Sequence, residues 1–392
     1  MIYFDNAATS FPKAPGVAGA MASFLAKDAA NPGRAGHRMA VAAERMLDDV
    51  RLKLTRLFDG EDHHRMVFAL NCTDALNMAI KGVVDGLPRD PAPHVITTNL
   101  EHNSVSRPLQ ALADSGRIAL TRVAADAAGF VDPADIADAV GPTTRLIVMT
   151  HASNVLGTIQ DAAAVGAIAR ERGVLFCLDV AQTAGLVPIS VKAMHIDLLA
   201  FPGHKGLLGP TGTGGLYVGP RCPTPESGEL RPWREGGTGG DSSTPTQPPL
   251  FPYYLEGGTP NTVGVAGLGA GVDYVLQHTP QALLAHEQQM VQKIIDHCST
   301  LDGRVTLYGE ASAARRVGTV SINLTGYDAP DAGSILDDSF AIATRPGLHC
   351  APYIHRALGT FPVGALRLSP GPFNTDEELD ALVAALSELT AG

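Results

Sequence analysis

The chain has 392 residues, 45% of them hydrophobic, and a formal charge of −11. That length buries a large core and predicts one large domain plus a smaller one. The acidic balance excludes non-specific nucleic-acid binding, which needs clustered Lys and Arg. No apolar run reaches membrane-spanning length and the start MIYFDNAATSFPK soon turns polar, so the expectation is no signal peptide, no membrane partner and a cytoplasmic location.

From about residue 65 to 220, short β-branched runs alternate with helical stretches. Strands are predicted at Met66–Leu70, His94–Thr98, Leu146–Thr150, Val174–Asp179, Ile196–Phe201 and Gly215–Val218, with helices at Asp74–Val84, Val105–Ala113 and Asp161–Glu171. The alternation indicates βαβ units and a mainly parallel sheet. Arg221 to Pro260 is rich in Gly, Pro, Ser and Thr, including GGTGGDSSTPTQPP (Gly236–Pro249), and reads as an ordered but irregular crossing, with a subunit contact one use for it. Helices at about Val263–His278 and Ala282–Leu301 follow, then strands at Thr319–Leu324 and Leu366–Ser369. The last helix opens with Thr375 and Glu378 as a capping box and presents Leu379, Leu382, Val383 and Leu386.

Open α/β sheets bind ligands outside the carboxyl ends of their strands. The unusual polar residues fall at those ends: Asn71 and Thr73, Glu101 and His102, Asn154, Asp179, then His204 and Lys205. Lys205, beside a histidine and between glycines, suits an amine held in a cleft to form a Schiff base. Asp179, in the run DVAQ with Gln182, suits a carboxylate that keeps a pyridine nitrogen protonated, while the Gln182 amide donates to a phenolic oxygen; together they suggest pyridoxal 5′-phosphate. Plainer readings stand beside these: Asp179 as a helix cap, Thr73 as an N-cap rather than an anion site, His102 as a loop residue rather than a ring that stacks on a cofactor. His204 is placed to reach a phosphate.

The five cysteines lack any CxxC, so neither a disulfide framework nor a zinc site is expected. Cys177 reads as a buried small hydrophobe in a strand. Cys350, in TRPGLHCAPYIH, sits in a turn that exposes its thiol, with Arg345, His349 and His355 as cations that would lower its pKa. No metal is assigned to these histidines: tuning of the thiol, or packing, is the simpler account. Arg367 stands on an apolar strand, where its fork of donors suits a substrate carboxylate or a structural ion pair. GPTGTGG is not a P-loop, because no GK[ST] follows.

Taken together, YFDNAATSFPK, NCTDALN, EHNS, SNVLGT, DVAQ, GHKGLLGPTGTGGLYV, EGGTPNT, the cysteine loop and RLSPGPFNT resemble the class-V aminotransferase-like cysteine desulfurases, nearly end to end. The resemblance implies the fold type I of pyridoxal-phosphate-dependent transferases, an α/β fold with a mainly parallel seven-stranded-type sheet. It implies a large domain over residues 15–262 and a small α+β domain from residues 1–14 and 263–392 that carries the cysteine loop. It further implies that L-cysteine becomes L-alanine with sulfur held as a persulfide on Cys350. Lys205 would bind the cofactor covalently and Cys350 attack sulfur. His102 would stack on the ring, Asp179 pair with its nitrogen and Gln182 hold its phenolic oxygen. Thr73, Asp74 and His204 would line the cofactor site, with Thr259 completing it from a neighbouring subunit, which implies a homodimer with shared sites. Asn154, Arg367 and Arg345 would hold the substrate carboxylate.

The short segment after Cys350 resembles the branch with a compact cysteine loop. Two features depart from the better-known branches. Pro202 replaces a hydroxyl residue, removing one phosphate hydrogen bond, and APYIHRALGTFPVG after Cys350, with NPGRAGH near the start, resembles a less characterised subgroup. The alternatives are a selenocysteine lyase or another C–S lyase on the same cofactor and, from another class, an inactive scaffold for sulfur transfer. A sulfur-acceptor protein is a further expected partner.

Overall fold

A computed structural model describes residues 1–33, 36–222, 230–239 and 243–391. Parts of the NPGRAGH run and of the Gly236–Pro249 run therefore lie outside the described residues.

Seven strands form the central sheet, in the spatial order Met66–Ala69, Gly214–Val218, Leu198–Pro202, Leu175–Asp179, Thr144–Thr150, His94–Thr98 and Ala119–Val123. Every pairing is parallel except the two made by Gly214–Val218, which runs antiparallel to both neighbours. Side chains alternate across a strand, so one run feeds two cores. Leu199 and Phe201 pack into the cluster with Ile147 and Phe176, while Leu198 and Ala200 face Val148 and Cys177. Burial on both faces is why these strands read as unbroken apolar runs. Ala119–Val123 escaped the sequence reading because it is a half-exposed edge strand with Thr and Arg in it.

The helix Thr262–His278 packs Val265, Leu268 and Val272 into the first of these cores. Beyond it, Arg345–Gly347, Ala365–Leu368, Val320–Leu324 and Val305–Tyr308 form a four-stranded antiparallel sheet. Its apolar face, Ile322, Leu366 and Leu368, packs on Ile294, Leu382 and Leu386. The capping box of the last helix is formed: the Thr375 N–H donates to Glu378 at 3.2 Å and the Glu378 N–H to the Thr375 hydroxyl at 3.3 Å.

The chain's start joins its end. Ile2–Tyr3 pairs in parallel with Ile342–Ala343, and Asp5 bridges to Ser369. Among the described residues, 230–261 hold turns and bends without helix or strand, and no helix is long and apolar enough to cross a membrane.

Candidate active site

A cavity of about 210 Å³ opens at the carboxyl ends of the parallel strands. It collects Thr73, His102, Asn154, Asp179, Gln182, His204, Lys205, Arg345 and Arg367. Residues spread over nearly three hundred positions of sequence thus meet in one place.

One end is set by the antiparallel strand. Gly214 pairs with Ala69 on one side and Pro202 on the other, so the loops carrying Thr73 and His204 flank it. A Cβ at Gly214 would lie 2.7 Å from the Phe201 carbonyl oxygen and 2.9 Å from the Asn71 carbonyl carbon. Only glycine lets these loops approach so closely. The helix Cys72–Gly86 is capped by Asn71, whose side chain accepts from the Asp74 N–H at 2.9 Å. Thr73 is therefore not the N-cap, and its hydroxyl is not spent on capping; it stands at a helix N-terminus, where an anion is favoured. Asp74, expected at the cofactor, does not line the cavity. Its N–H is used by the cap, and its carboxylate in the first turn suits the helix dipole rather than a phosphate.

At the sheet's centre Asp179 is buried, and Oδ1 accepts from the Ala181 N–H at 2.9 Å and the Cys72 thiol at 3.5 Å. Burial raises its pKa. Burial, helped by Arg367, lowers the Lys205 amine to about 8. Gln182 donates instead to the Ala7 carbonyl at 3.2 Å, leaving one amide N–H for any phenolic oxygen.

His102 caps the helix Asn103–Asp114. Its Nδ1 accepts from the Ser104 N–H at 3.1 Å, so in the neutral ring Nε2 carries the proton. Burial, with Lys205 and the arginines nearby, lowers its pKa to about 4. Behind it the buried Glu101 accepts from the Thr98 hydroxyl at 2.7 Å and the Thr150 N–H at 3.1 Å, while its other oxygen has no partner. Burial raises this carboxyl to about 8. The unfolded chain releases that proton above roughly pH 4.5 and the folded chain holds it until about 8, so stability falls across this window as pH rises. Glu101→Gln, an isostere of the protonated form, should flatten the fall; urea midpoints at pH 6 and pH 9 that differ as much as in the wild type would refute this.

Arg345 and Arg367 stand directly opposite each other on antiparallel strands. Like charges so placed repel unless an anion lies nearby. Asp5 supplies one, at 2.7 Å from Arg367; Arg345 has no ion pair among the described residues, and the buried Arg367 Nε has no partner. Both the structural and the substrate reading of Arg367 thus have support. Asn154 also ties the cysteine loop to this strand. Its Nδ2 donates to the His349 carbonyl at 2.7 Å, and its own carbonyl accepts from Arg367 at 3.0 Å.

Cys350 is exposed at the rim, next to the cavity-lining His349, and the other four cysteines are buried. The Asn103 N–H, one residue from His102, donates to the Cys350 carbonyl at 2.7 Å. The cations expected beside the thiol are not the histidines. His349 and His355 are buried and bond to each other, and burial lowers His349 to about 2 and His355 to about 4. Thr259 lines a different cavity, of about 710 Å³, with Arg51, Tyr253 and Glu256.

The sequence reading missed how far the first residues build the site. Asp5 holds Arg367, Ala7 holds Gln182, and Thr9 meets His204 Nδ1 at 3.1 Å. Cys72 figures in the sequence only as part of NCTDALN, and Glu101 only as a polar residue at a strand end, without a role. Glu101 carried the one usable signal, a carboxylate between an apolar strand and a histidine.

Residues 2–382 match the family described as aminotransferase class-V. The chain is 36% identical to a probable cysteine desulfurase of Methanothermobacter thermautotrophicus, over 99% of this chain and 94% of that one. It is 33% identical to a probable cysteine desulfurase of Halobacterium salinarum, over 99% and 91%. The solved apo cysteine desulfurase of Thermococcus onnurineus superposes with a TM-score of 0.92 at 31% identity, covering 100% of this chain and 95% of that one. With its fold, its site and these likenesses in agreement, the chain belongs to the class-V aminotransferase family, among the cysteine desulfurases.

Proposed function

We propose that this enzyme releases sulfur from L-cysteine as a persulfide on Cys350 and yields L-alanine, with pyridoxal phosphate as its cofactor. One observation carries the reading: a depressed lysine amine and a buried carboxylate share a cavity whose rim bears the chain's one exposed thiol.

The donor set fits that cofactor. Thr73 and His204 would hold its phosphate beside Gly214, and Asp179 its ring nitrogen. His102 would cover its face, and Lys205 would bind it covalently. Pro202 offers no donor at the phosphate end; Asn71 and the helix N-terminus lie beside it. When bound, the group supplies an aldehyde for the substrate amine and a ring that accepts the electrons left as the Cα proton departs.

Arg345 and Arg367 orient the substrate carboxylate. An amine lowered to about 8 is neutral often enough near neutral pH for Lys205 to take the Cα proton. A protonated ring nitrogen held by Asp179 would keep that carboxylate ionised and offset the cost of its burial. The Cys350 thiolate then attacks the substrate sulfur. An S–S bond forms as the Cβ–S bond breaks, the electron pair stays with carbon, and protonation of that fragment gives alanine. Lys205 is placed to return a proton at Cα.

A homodimer is part of this proposal: Thr259, which lines a cavity other than that of its own Lys205, would complete the site of a second copy. Five free cysteines favour a reducing, cytoplasmic setting. An exposed Cys350 leaves the persulfide within reach of an acceptor protein.

The deciding experiment gives the cofactor-loaded protein L-cysteine, selenocysteine or cystine and measures alanine, pyruvate, ammonia and persulfide. Alanine with persulfide on Cys350 is expected from cysteine. Pyruvate and ammonia without persulfide would instead make the protein a C–S lyase of another kind.

A further inference from the structure

The cysteine turn has an unusual backbone. His349 and Cys350 are consecutive residues with φ of +48° and +57°, a left-handed pair made by two residues that both carry a Cβ. A left-handed residue with a Cβ is strained, so the pair persists only where its surroundings hold it.

Three contacts outside the pair fasten its backbone. Asn154 Nδ2 holds the His349 carbonyl, the Asn103 N–H holds the Cys350 carbonyl, and the Ala351 N–H donates to the Leu348 carbonyl at 2.9 Å. At the base of the loop a Cβ on Gly364 would lie 2.1 Å from the Gly347 carbonyl oxygen, so only glycine permits this closure.

The His349 side chain is held by a chain of groups from the far side of the loop. Its Nε2 lies 2.9 Å from the Arg345 carbonyl oxygen, and its Nδ1 lies 3.3 Å from His355 Nε2. His355 Nδ1 lies 2.7 Å from the Thr360 hydroxyl. The Thr360 hydroxyl also lies 3.2 Å from the His355 carbonyl, which already accepts from the Thr360 and Phe361 N–H groups. With both rings neutral, the hydroxyl's one proton therefore goes to the closer Nδ1, and the Arg345 carbonyl sets the rest of the order. A carbonyl only accepts, so His349 Nε2 bears the proton and its Nδ1 accepts. His355 Nε2 must then donate, and His355 Nδ1 accepts from Thr360. The order runs from Thr360 through His355 and His349 to the Arg345 carbonyl.

We propose that His355 is a positioning residue for sulfur transfer: it fixes the tautomer and orientation of His349 and so holds the left-handed turn that presents Cys350 at the rim of the cavity. His355 does not line the cavity, whereas His349 does, so His355 acts only through His349. Its ring is completely buried and the residues from Pro352 to Ala357 form one short helix, so its position is set by packing rather than by the site. The inference rests on Cys350 being the sulfur acceptor.

The test separates the two half-reactions in the cofactor-loaded enzyme. Lys205 removes the Cα proton, which is read as deuterium exchange into L-cysteine; Cys350 takes the sulfur, which is read as alanine and persulfide. His355→Leu should lower kcat for alanine on the order of tenfold to a hundredfold, the scale of a small misplacement of a reacting group. KM, the cofactor's visible absorbance and the rate of deuterium exchange should stay at wild-type values. His355→Gln, whose amide can donate to His349 Nδ1, should restore most of the loss. Thr360→Val should lower kcat in the same direction, and it serves as the test if the leucine variant does not fold. An unchanged kcat in His355→Leu, or in Thr360→Val where that variant stands in, overturns the proposal. So does a parallel fall of deuterium exchange, or a glutamine variant as slow as the leucine one. If Cys350→Ser keeps full turnover, the sulfur-acceptor reading has failed instead, and the two failures are told apart.

Discussion

Cys350→Ser should take up pyridoxal phosphate normally and yet lose alanine formation from L-cysteine by on the order of a thousandfold or more, the scale seen when an essential nucleophile is removed. A hydroxyl at this position is neutral at pH 7 and far less reactive toward sulfur than a thiolate. The substitution is nearly isosteric at an exposed rim position, so the melting temperature should change little. Deuterium exchange at Cα of cysteine should persist, because Lys205 is untouched. Selenocysteine is the informative second substrate: turnover retained with it and lost with cysteine would mean that the C–Se bond breaks without attack by Cys350. Full turnover of cysteine by the serine variant would remove Cys350 from its assigned role.

Lys205→Ala should abolish both covalent attachment of the cofactor and turnover. Borohydride reduction should fix a pyridoxyl group on Lys205 in the wild type and on no residue of the variant. Loss of a positioned base alone removes ~10²–10⁴ in rate, and loss of the covalent anchor adds to that, so no alanine should be detected. The fold should survive. Burial disfavours the charged amine and lowers it to about 8, whereas in the unfolded chain it titrates near the ordinary 10.5. Folding at pH 7 therefore works against that charge, and the handicap fades as pH rises from about 8 toward 10.5. Without cofactor, Lys205→Ala should melt no lower than the wild type at pH 7. A lower melting point would show that Lys205 makes a stabilising contact that outweighs the burial of its charge.

Much of this site was legible because its groups sit where strands end. Asp179 closes an apolar run, His102 and Lys205 follow others, and burial on both faces of the sheet makes such runs unbroken and so visible without a structure. Cys350 stood out because a thiol in a polar turn has no packing role. The groups that support these residues were less legible, and the reason is distance along the chain. Asp5 meets Arg367 across 362 positions, and Asn154 reaches His349 across 195. Nothing local to either residue announces the other.

Two local features also misled. The histidines around Cys350 read as cations in the sequence, because a charge count ignores burial. In the fold they desolvate and bond to each other, which leaves them neutral and turns them from activators of a thiol into supports for a turn. The plainer reading of Thr73 as a helix cap, set beside its reading as an anion site, fails because Asn71 does the capping.

Fold class, family and the candidate side chains at the strand ends were already present in the order of the residues, since these depend on hydrophobic patterning and on residue types at strand ends. The charge states of those side chains, their partners and the left-handed turn at Cys350 emerged with the folded chain alone. Those properties come from burial and from contacts between distant segments, which no local pattern contains.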